Sequence, residues 1–340
     1  MAFGVARIVV IVMENRTIDS LLGAGGTPCP GLAWPPDNSH TAAVAGLPHP
    51  GRRCHVPAAQ IPVTRALRCA GCLASGHFSE ILGPSDPNYL AMMAAASPVA
   101  EDLGWFPRLP RMATLADRMD AAGLSWRNYA GNGLDGFAIF PHLRRRAEMR
   151  GWRAFAGDAR RGELPRLSWL TAPYARSEHP PMPVGWGERW LGQQVAALAA
   201  GPCWPDLVAV IVWDDWGGYW DRASPPPLRE RWRDGTPFRL GLRTPLLLVG
   251  GRVPPGSVFE GPSSHASIPA LVERTFGLAP LTDWDADAGD LAGALLPSGV
   301  PATPPPRLPR LPGPSLGARA VQGAIDAAAV VWRAAHVPLA

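Results

Sequence analysis

Two acidic turns stand directly after apolar runs in this 340-residue sequence. Met13-Glu14-Asn15-Arg16-Thr17 ends one run, and Trp213-Asp214-Asp215-Trp216-Gly217-Gly218-Tyr219 ends another. Carboxylates with an amide oxygen suit a hard or borderline divalent cation. The plainer alternative makes Glu14 a helix cap and Asp214 and Asp215 turn residues before two glycines. A third segment, Gly83-Pro84-Ser85-Asp86-Pro87-Asn88-Tyr89, sets a serine where the N-cap of a following helix is expected. A hydroxyl there faces backbone N–H groups that favour a phosphate. Ser85 therefore reads either as a cap or as a nucleophile.

These residues need elements to position them. Ile8–Met13, Leu207–Trp213 and Thr244–Val249 have the length and apolar content of buried strands, with Ser125–Tyr129 and Leu167–Leu170 as weaker ones. Helices are expected over Thr17–Leu22, Asp86–Ala96, Ala113–Ala122, Glu188–Ala200, Ser267–Phe276 (stopped by Gly277) and Ala318–Ala335. The alternation predicts an α/β fold, a mostly parallel central sheet with helices on both faces. Chemistry in such sheets sits in the loops at the carboxyl ends of the strands.

Composition narrows the choices further. The chain holds 37 glycines and 40 prolines, yet 47% of its residues are hydrophobic. That excludes a coiled coil, a collagen-like fibre and a disordered chain. The Pro/Gly excess falls after Gly23, around Pro84, after Asp221 and over Pro297–Pro314. One catalytic unit is expected over residues 1–296, with a proline-rich segment and helix, 297–340, packed on it or trailing. A net charge of +4 permits an anionic small substrate without arguing for nucleic acid. No apolar run approaches the ~20 residues of a membrane span. The first seven residues lack the regions of a signal peptide, so the expectation is cytoplasmic, or export if the start lies upstream.

Other features carry open readings. Among five cysteines, one or two bridges are open; Cys69 and Cys72, with Cys54-His55 upstream, read as a buried or bridged pair or a zinc site. Arg144–Arg146 with Arg150, and Arg229–Arg233, read as solvated faces or a phosphate-steering rim. Trp213, Trp216 and Trp220 read as core, or as the lining of a pocket for an apolar leaving group. A conventional serine hydrolase is disfavoured, because no Gly-x-Ser-x-Gly elbow occurs.

Taken in order, the segments resemble the bacterial phosphoesterase family of acid phosphatases and phospholipases C, within the alkaline-phosphatase-like superfamily. Val9 to Thr17 is similar to its opening strand with the Glu-Asn pair, and Gly83 to Leu90 to its nucleophile loop. Ser177-Glu178-His179-Pro180 resembles its Glu-His-Pro segment, Trp213 to Asp221 its second metal-binding turn, and Ser264-His265-Ala266-Ser267-Ile268 the start of its closing helix. The resemblance spans about Ile8 to Leu296 and implies an alkaline-phosphatase-like fold. It also implies that Glu14, Asn15, Asp214 and Asp215 hold a divalent metal ion of unknown identity. Ser85 would attack phosphorus to give a phosphoseryl intermediate, which water then hydrolyses. Asn88 and Arg222 would bind substrate phosphate, and His179 and His265 would contact phosphate or protonate the leaving group. The implied substrates are phosphomonoesters or phospholipid head-group phosphodiesters; the alternative is a catalytically weak phosphate-binding relative. Two positions depart from the family's usual pattern: Asp215 where many members have Glu, and Arg222 where many have His.

Overall fold

Seven consecutive residues, Arg7–Met13, form the central strand β1, and all but Arg7 are buried. Such a run has no polar side to turn outward, so it needs cover on both faces. The computed structural model describes residues 3–23, 27–29, 36–103, 109–131, 135–231 and 237–336. The other sheet strands are β2 (Cys72–Ala74), β3 (Trp126–Ala130), β4 (Met149–Gly151), β5 (Leu167–Thr171), β6 (Leu207–Trp213), β7 (Leu246–Val249) and β8 (Ser257–Phe259). Their order in the sheet is β8-β2-β7-β6-β1-β5-β3-β4. Only β7 runs against the rest.

Register is what matters for the site. β1 and β6 pair in parallel from Arg7↔Leu207 to Met13↔Trp213. Glu14-Asn15 and Asp214-Asp215 therefore leave the sheet side by side, at the same height. On the other flank Val12 pairs with Thr171, which brings the chain after β5 to the same edge.

Alternation along the strands divides the core. Ile8, Val10 and Val12 pack with Val208, Val210 and Val212 under helices α3 (Ser85–Ala94), α4 (Leu115–Ala121) and α7 (Ser267–Phe276). Val9, Ile11 and Met13 face α2 (Pro62–Ala70), α5 (Phe155–Arg161) and α6 (Val184–Ala200). Helix α1 (Ile18–Leu22) follows β1, capped by Thr17, and α8 (Leu316–His336) ends the described chain.

Several expectations are corrected. Helix α2 and strand β2 were not anticipated. Helix α2 lacks a local cap; Glu188 of α6 supplies one, accepting from Val63 N at 2.6 Å and from Thr64 N at 3.1 Å. The Pro-rich stretch after Asp221 contains a two-stranded ribbon, Pro227–Arg231 with Pro237–Arg239. The side chains of Arg229–Arg233 lie outside the described residues. Cys69 and Cys72 are unbridged; the disulfide joins Cys29 and Cys54. That bond occupies the Cys54 sulfur, so it cannot serve a zinc site with Cys69 and Cys72.

From residue 301 to the start of α8 the chain runs as an extended strap. Trp204 donates to Thr303 O at 2.8 Å, and Leu308 and Leu311 pack on the core. Helix α8 is then held by Asp326, which accepts from Ala175 N at 3.2 Å and pairs with Arg176. Among the described residues, no helix is long and apolar enough to cross a membrane.

Candidate active site

The two acidic turns clamp each other through their backbones. Asn15 N donates to Asp214 Oδ1 at 2.9 Å, and Arg16 N to Asp215 O at 3.0 Å. The second turn closes on the first at Gly217 (φ +60°), where a Cβ would stand 2.6 Å from the Asn15 carbonyl oxygen. A side chain there would collide with backbone. Asn15 itself has φ 58°, a conformation asparagine tolerates better than most residues.

Asp214 and Asp215 are both wholly buried. Asp215 Oδ1 accepts from Asn15 Nδ2 at 2.9 Å and Gly217 N at 2.6 Å; its Oδ2 accepts from Ser85 Oγ at 2.9 Å and Asn38 Nδ2 at 3.2 Å. Asp214 Oδ2 and Asn15 Oδ1 have no partner. Burial raises the Asp214 carboxyl to about 6, and burial plus the Asp214 charge raises Asp215 well above the ordinary range. Two adjacent buried carboxylates and an orphaned amide oxygen are the surroundings a divalent cation compensates. Among the described residues no three His, Cys, Asp or Glu side chains gather into a metal-holding cluster. The donor set here fits a cation by adding an amide and a hydroxyl to the two aspartates. Glu14 stands beside it, accepting from the Tyr89 hydroxyl at 3.0 Å.

Ser85 is the first residue of α3, not its N-cap; Pro84 takes that position and makes no side-chain cap. The hydroxyl is thereby free of the helix and meets Asp215 instead. Asn88 does not face the site either. Buried one turn along α3, it accepts from Ile81 N at 2.9 Å and donates to the carbonyls of Ile81 and Pro84 at 3.2 and 2.9 Å. Its amide is spent stapling the loop that presents Ser85. Asn88→Ala is expected to cost about 2–3 kcal/mol, because it leaves buried backbone groups unpaired; urea unfolding measures this.

His265 is equally buried. Its Nε2 lies 2.6 Å from Asp214 O, and a carbonyl only accepts, so Nε2 carries the proton. Its Nδ1 then accepts from His77 Nε2 at 3.1 Å, and His77 Nδ1 from Ser263 Oγ at 3.1 Å. Burial lowers His265 to about 4 and His77 further below the usual imidazole range, so the chain stays neutral. This geometry makes His265 a prop for the Asp214 backbone. His77 was missed in the sequence, where a lone histidine carries no signal.

His179 is half-buried, its Nδ1 donating to Pro180 O at 2.5 Å and its ring stacked 4.7 Å from Tyr174. Burial lowers it to about 4, so near neutral pH the ring is neutral and has no proton to give from Nε2. Glu178 before it has φ 73°, a left-handed backbone that costs a glutamate on the order of 1–3 kcal/mol. Arg16 holds it there by donating to the Glu178 carbonyl at 2.8 Å. Arg222 is committed elsewhere: its Nε lies 2.9 Å from Asp19 Oδ2, and it lines a separate cavity with Arg53 and Trp220. Trp213 and Trp216 are buried, and Trp220 lines the cavity with Arg222.

The model of the Phosphoesterase family matches residues 55–279, more than half of the chain. The chain belongs to the Phosphoesterase family. Within this family's reach, hemolytic phospholipase C of Pseudomonas aeruginosa is 26% identical over 301 residues, 68% of this chain and 41% of its own length. Non-specific phospholipase C1 of Arabidopsis thaliana is 30% identical over 62% of this chain and 46% of its own. Phospholipase C B of Mycobacterium tuberculosis is 27% identical over 80% and 63%. This phosphoesterase chain spans about half the length of the curated relatives it matches. Among solved structures, a protein in the alkaline phosphatase superfamily from Vibrio parahaemolyticus aligns with a TM-score of 0.50 and 11% identity, over 98% of this chain and 88% of that one. The fold of this Phosphoesterase family chain is accordingly alkaline-phosphatase-like.

Proposed function

We propose that this chain is a metal-dependent phosphoester hydrolase with Ser85 as its nucleophile. The observation that carries the reading is the Ser85 hydroxyl, 2.9 Å from Asp215 Oδ2 and beside the unpartnered oxygens of Asp214 and Asn15. Family membership and the phospholipase C relatives support phosphoesters as the substrate class. Asn15, Asp214 and Asp215, with Glu14 adjacent, are the residues that would hold a divalent cation. When bound, such a cation lowers the pKa of a neighbouring hydroxyl and neutralises phosphoryl charge.

The chain's own residues do the rest. Asp215 accepts the hydroxyl proton as Ser85 Oγ bonds to phosphorus, the ester P–O bond breaks, and the departing alkoxide takes its proton from solvent. The new phosphoryl group sits at the first residue of α3, where the helix N-terminus favours negative charge. His179, neutral with Nδ1–H fixed on Pro180, leaves Nε2 to take a proton from the water that cleaves the phosphoserine. His265 and Asn88 are positioning residues. The substrate is a phosphomonoester or the head-group phosphodiester of a phospholipid.

An acid quench of the protein turning over a ³²P-labelled phosphomonoester with a divalent cation is expected to leave label on the chain. Label retained in Ser85→Ala sinks the proposed nucleophile. The Cys29–Cys54 bridge favours an oxidising compartment as the place of work.

A further inference from the structure

A cleft of about 400 Å³ opens where three of the site's segments end. Arg16 follows Asn15, Pro180 follows His179, and Tyr219 follows Gly217-Gly218, so each delivers its next residue to the cleft. The remaining wall is mostly apolar, with Val56, Met182 and Val184, and it is completed by Leu311 and Pro312 of the C-terminal strap. The volume lies within the ~300–1,000 Å³ typical of small-molecule sites.

Two arginines line this cleft. Arg16 is 4% exposed; its two terminal nitrogens donate to the carbonyls of Asn15 and Glu178 at 2.7 and 2.8 Å, and its Nε has no partner. Arg189 donates from Nε to Pro312 O at 2.7 Å, and its Nη1 has no partner. Neither forms an ion pair among the described residues. A guanidinium bonded only to neutral carbonyls keeps its full charge, and low-dielectric walls strengthen its field.

We infer that this cleft binds an anionic amphiphile with one apolar chain, the chain along Val56, Met182 and Leu311 and the anionic end toward Arg16 and Arg189. Apolar walls without the arginines would take a neutral chain as readily, and arginines without the walls would take phosphate alone. The combination selects a molecule with both parts. It rests on the phosphoesterase reading only in making such a molecule a substrate or product of the Ser85 site.

The test is direct binding in Ser85→Ala, which separates it from turnover. Titration calorimetry with dodecanoate below its micelle concentration is expected to show saturable binding at one site. Dodecyl maltoside, neutral and with the same chain, is expected to bind at least tenfold more weakly. Gly185 lines the cleft, and a Cβ there would meet no atom within 4 Å, so Gly185→Phe is compatible with the fold. Gly185→Phe and Met182→Asp are each expected to weaken dodecanoate at least tenfold while leaving p-nitrophenyl phosphate turnover in the otherwise unmodified chain unchanged. Equal binding of the neutral detergent, or unchanged dodecanoate affinity in both variants, overturns the inference. Dodecanoate binding in a chain that hydrolyses no phosphoester overturns the phosphoesterase reading and leaves this one standing.

Discussion

Ser85→Ala is expected to lower phosphoester turnover by at least about 10³-fold, some 4 kcal/mol of barrier, with little loss of stability. The asymmetry follows from the contacts. Among the described residues the hydroxyl makes one hydrogen bond, to Asp215, and Asp215 keeps Asn15, Gly217 and Asn38 as donors when it goes. Losing one such bond costs about 1 kcal/mol. Ser85→Thr preserves a hydroxyl and is expected to recover part of the rate. Release of p-nitrophenol from its phosphate and phosphorylcholine esters measures both variants. Undiminished turnover in Ser85→Ala would falsify the assignment.

Asp214→Asn is expected to separate stability from function. In the wild type without metal, burial raises the Asp214 carboxyl to about 6, above the ~3.9 of an unburied aspartate. A raised acid holds its proton more tightly when folded, so its contribution to stability is full below the unfolded pKa. That contribution is lost as pH rises through about 6. The loss amounts to about 2–3 kcal/mol by linkage. Asn at this position keeps an oxygen for the N–H groups of Asn15 and Asp215 and removes the charge. Thermal melts of the metal-free proteins at pH 7 should show the variant more stable, with the slope between pH 4 and 6 flattened. Added divalent cation should raise the wild-type melting temperature and leave the variant's nearly unchanged. Turnover should fall by on the order of 10²-fold. A variant that melts lower than wild type without metal, and still responds to the cation, would overturn the account of this pair.

The sequence was most legible where a segment carries its own signal. Leu207–Trp213 and Ser267–Phe276 have the predicted bounds, because an unbroken apolar run and a glycine stop are local facts. Helix α2 was hidden because its cap, Glu188, lies more than a hundred residues away in the chain. Strand β2 has three residues, too few for periodicity to register. The antiparallel direction of β7 depends on its connection and leaves no mark in Thr244–Val249. At the site, residue types and order marked Asn15, Ser85, Asp214 and Asp215 as candidates, and the structure brings these four side chains together. Orientation was not legible: Asn88 and His265 turn away from solvent because the loop at Ile81–Pro84 and the Asp214 carbonyl claim their polar atoms first. Asn38 and His77 had no neighbouring motif to mark them.

The central position of β1 has a cost during synthesis. It leaves the ribosome before either of its sheet neighbours, Leu167–Thr171 and Leu207–Trp213, which come much later. At about 5–20 residues per second, the gap between Met13 and Trp213 amounts to roughly 10–40 s. Until Leu167–Thr171 emerges this apolar strand has bare edges on both sides, and until Leu207–Trp213 emerges it has one, the form in which strands recruit other chains. Production of this protein therefore depends on what shields Ile8–Met13 on the nascent chain, and slowing translation before residue 167 should lower the soluble yield.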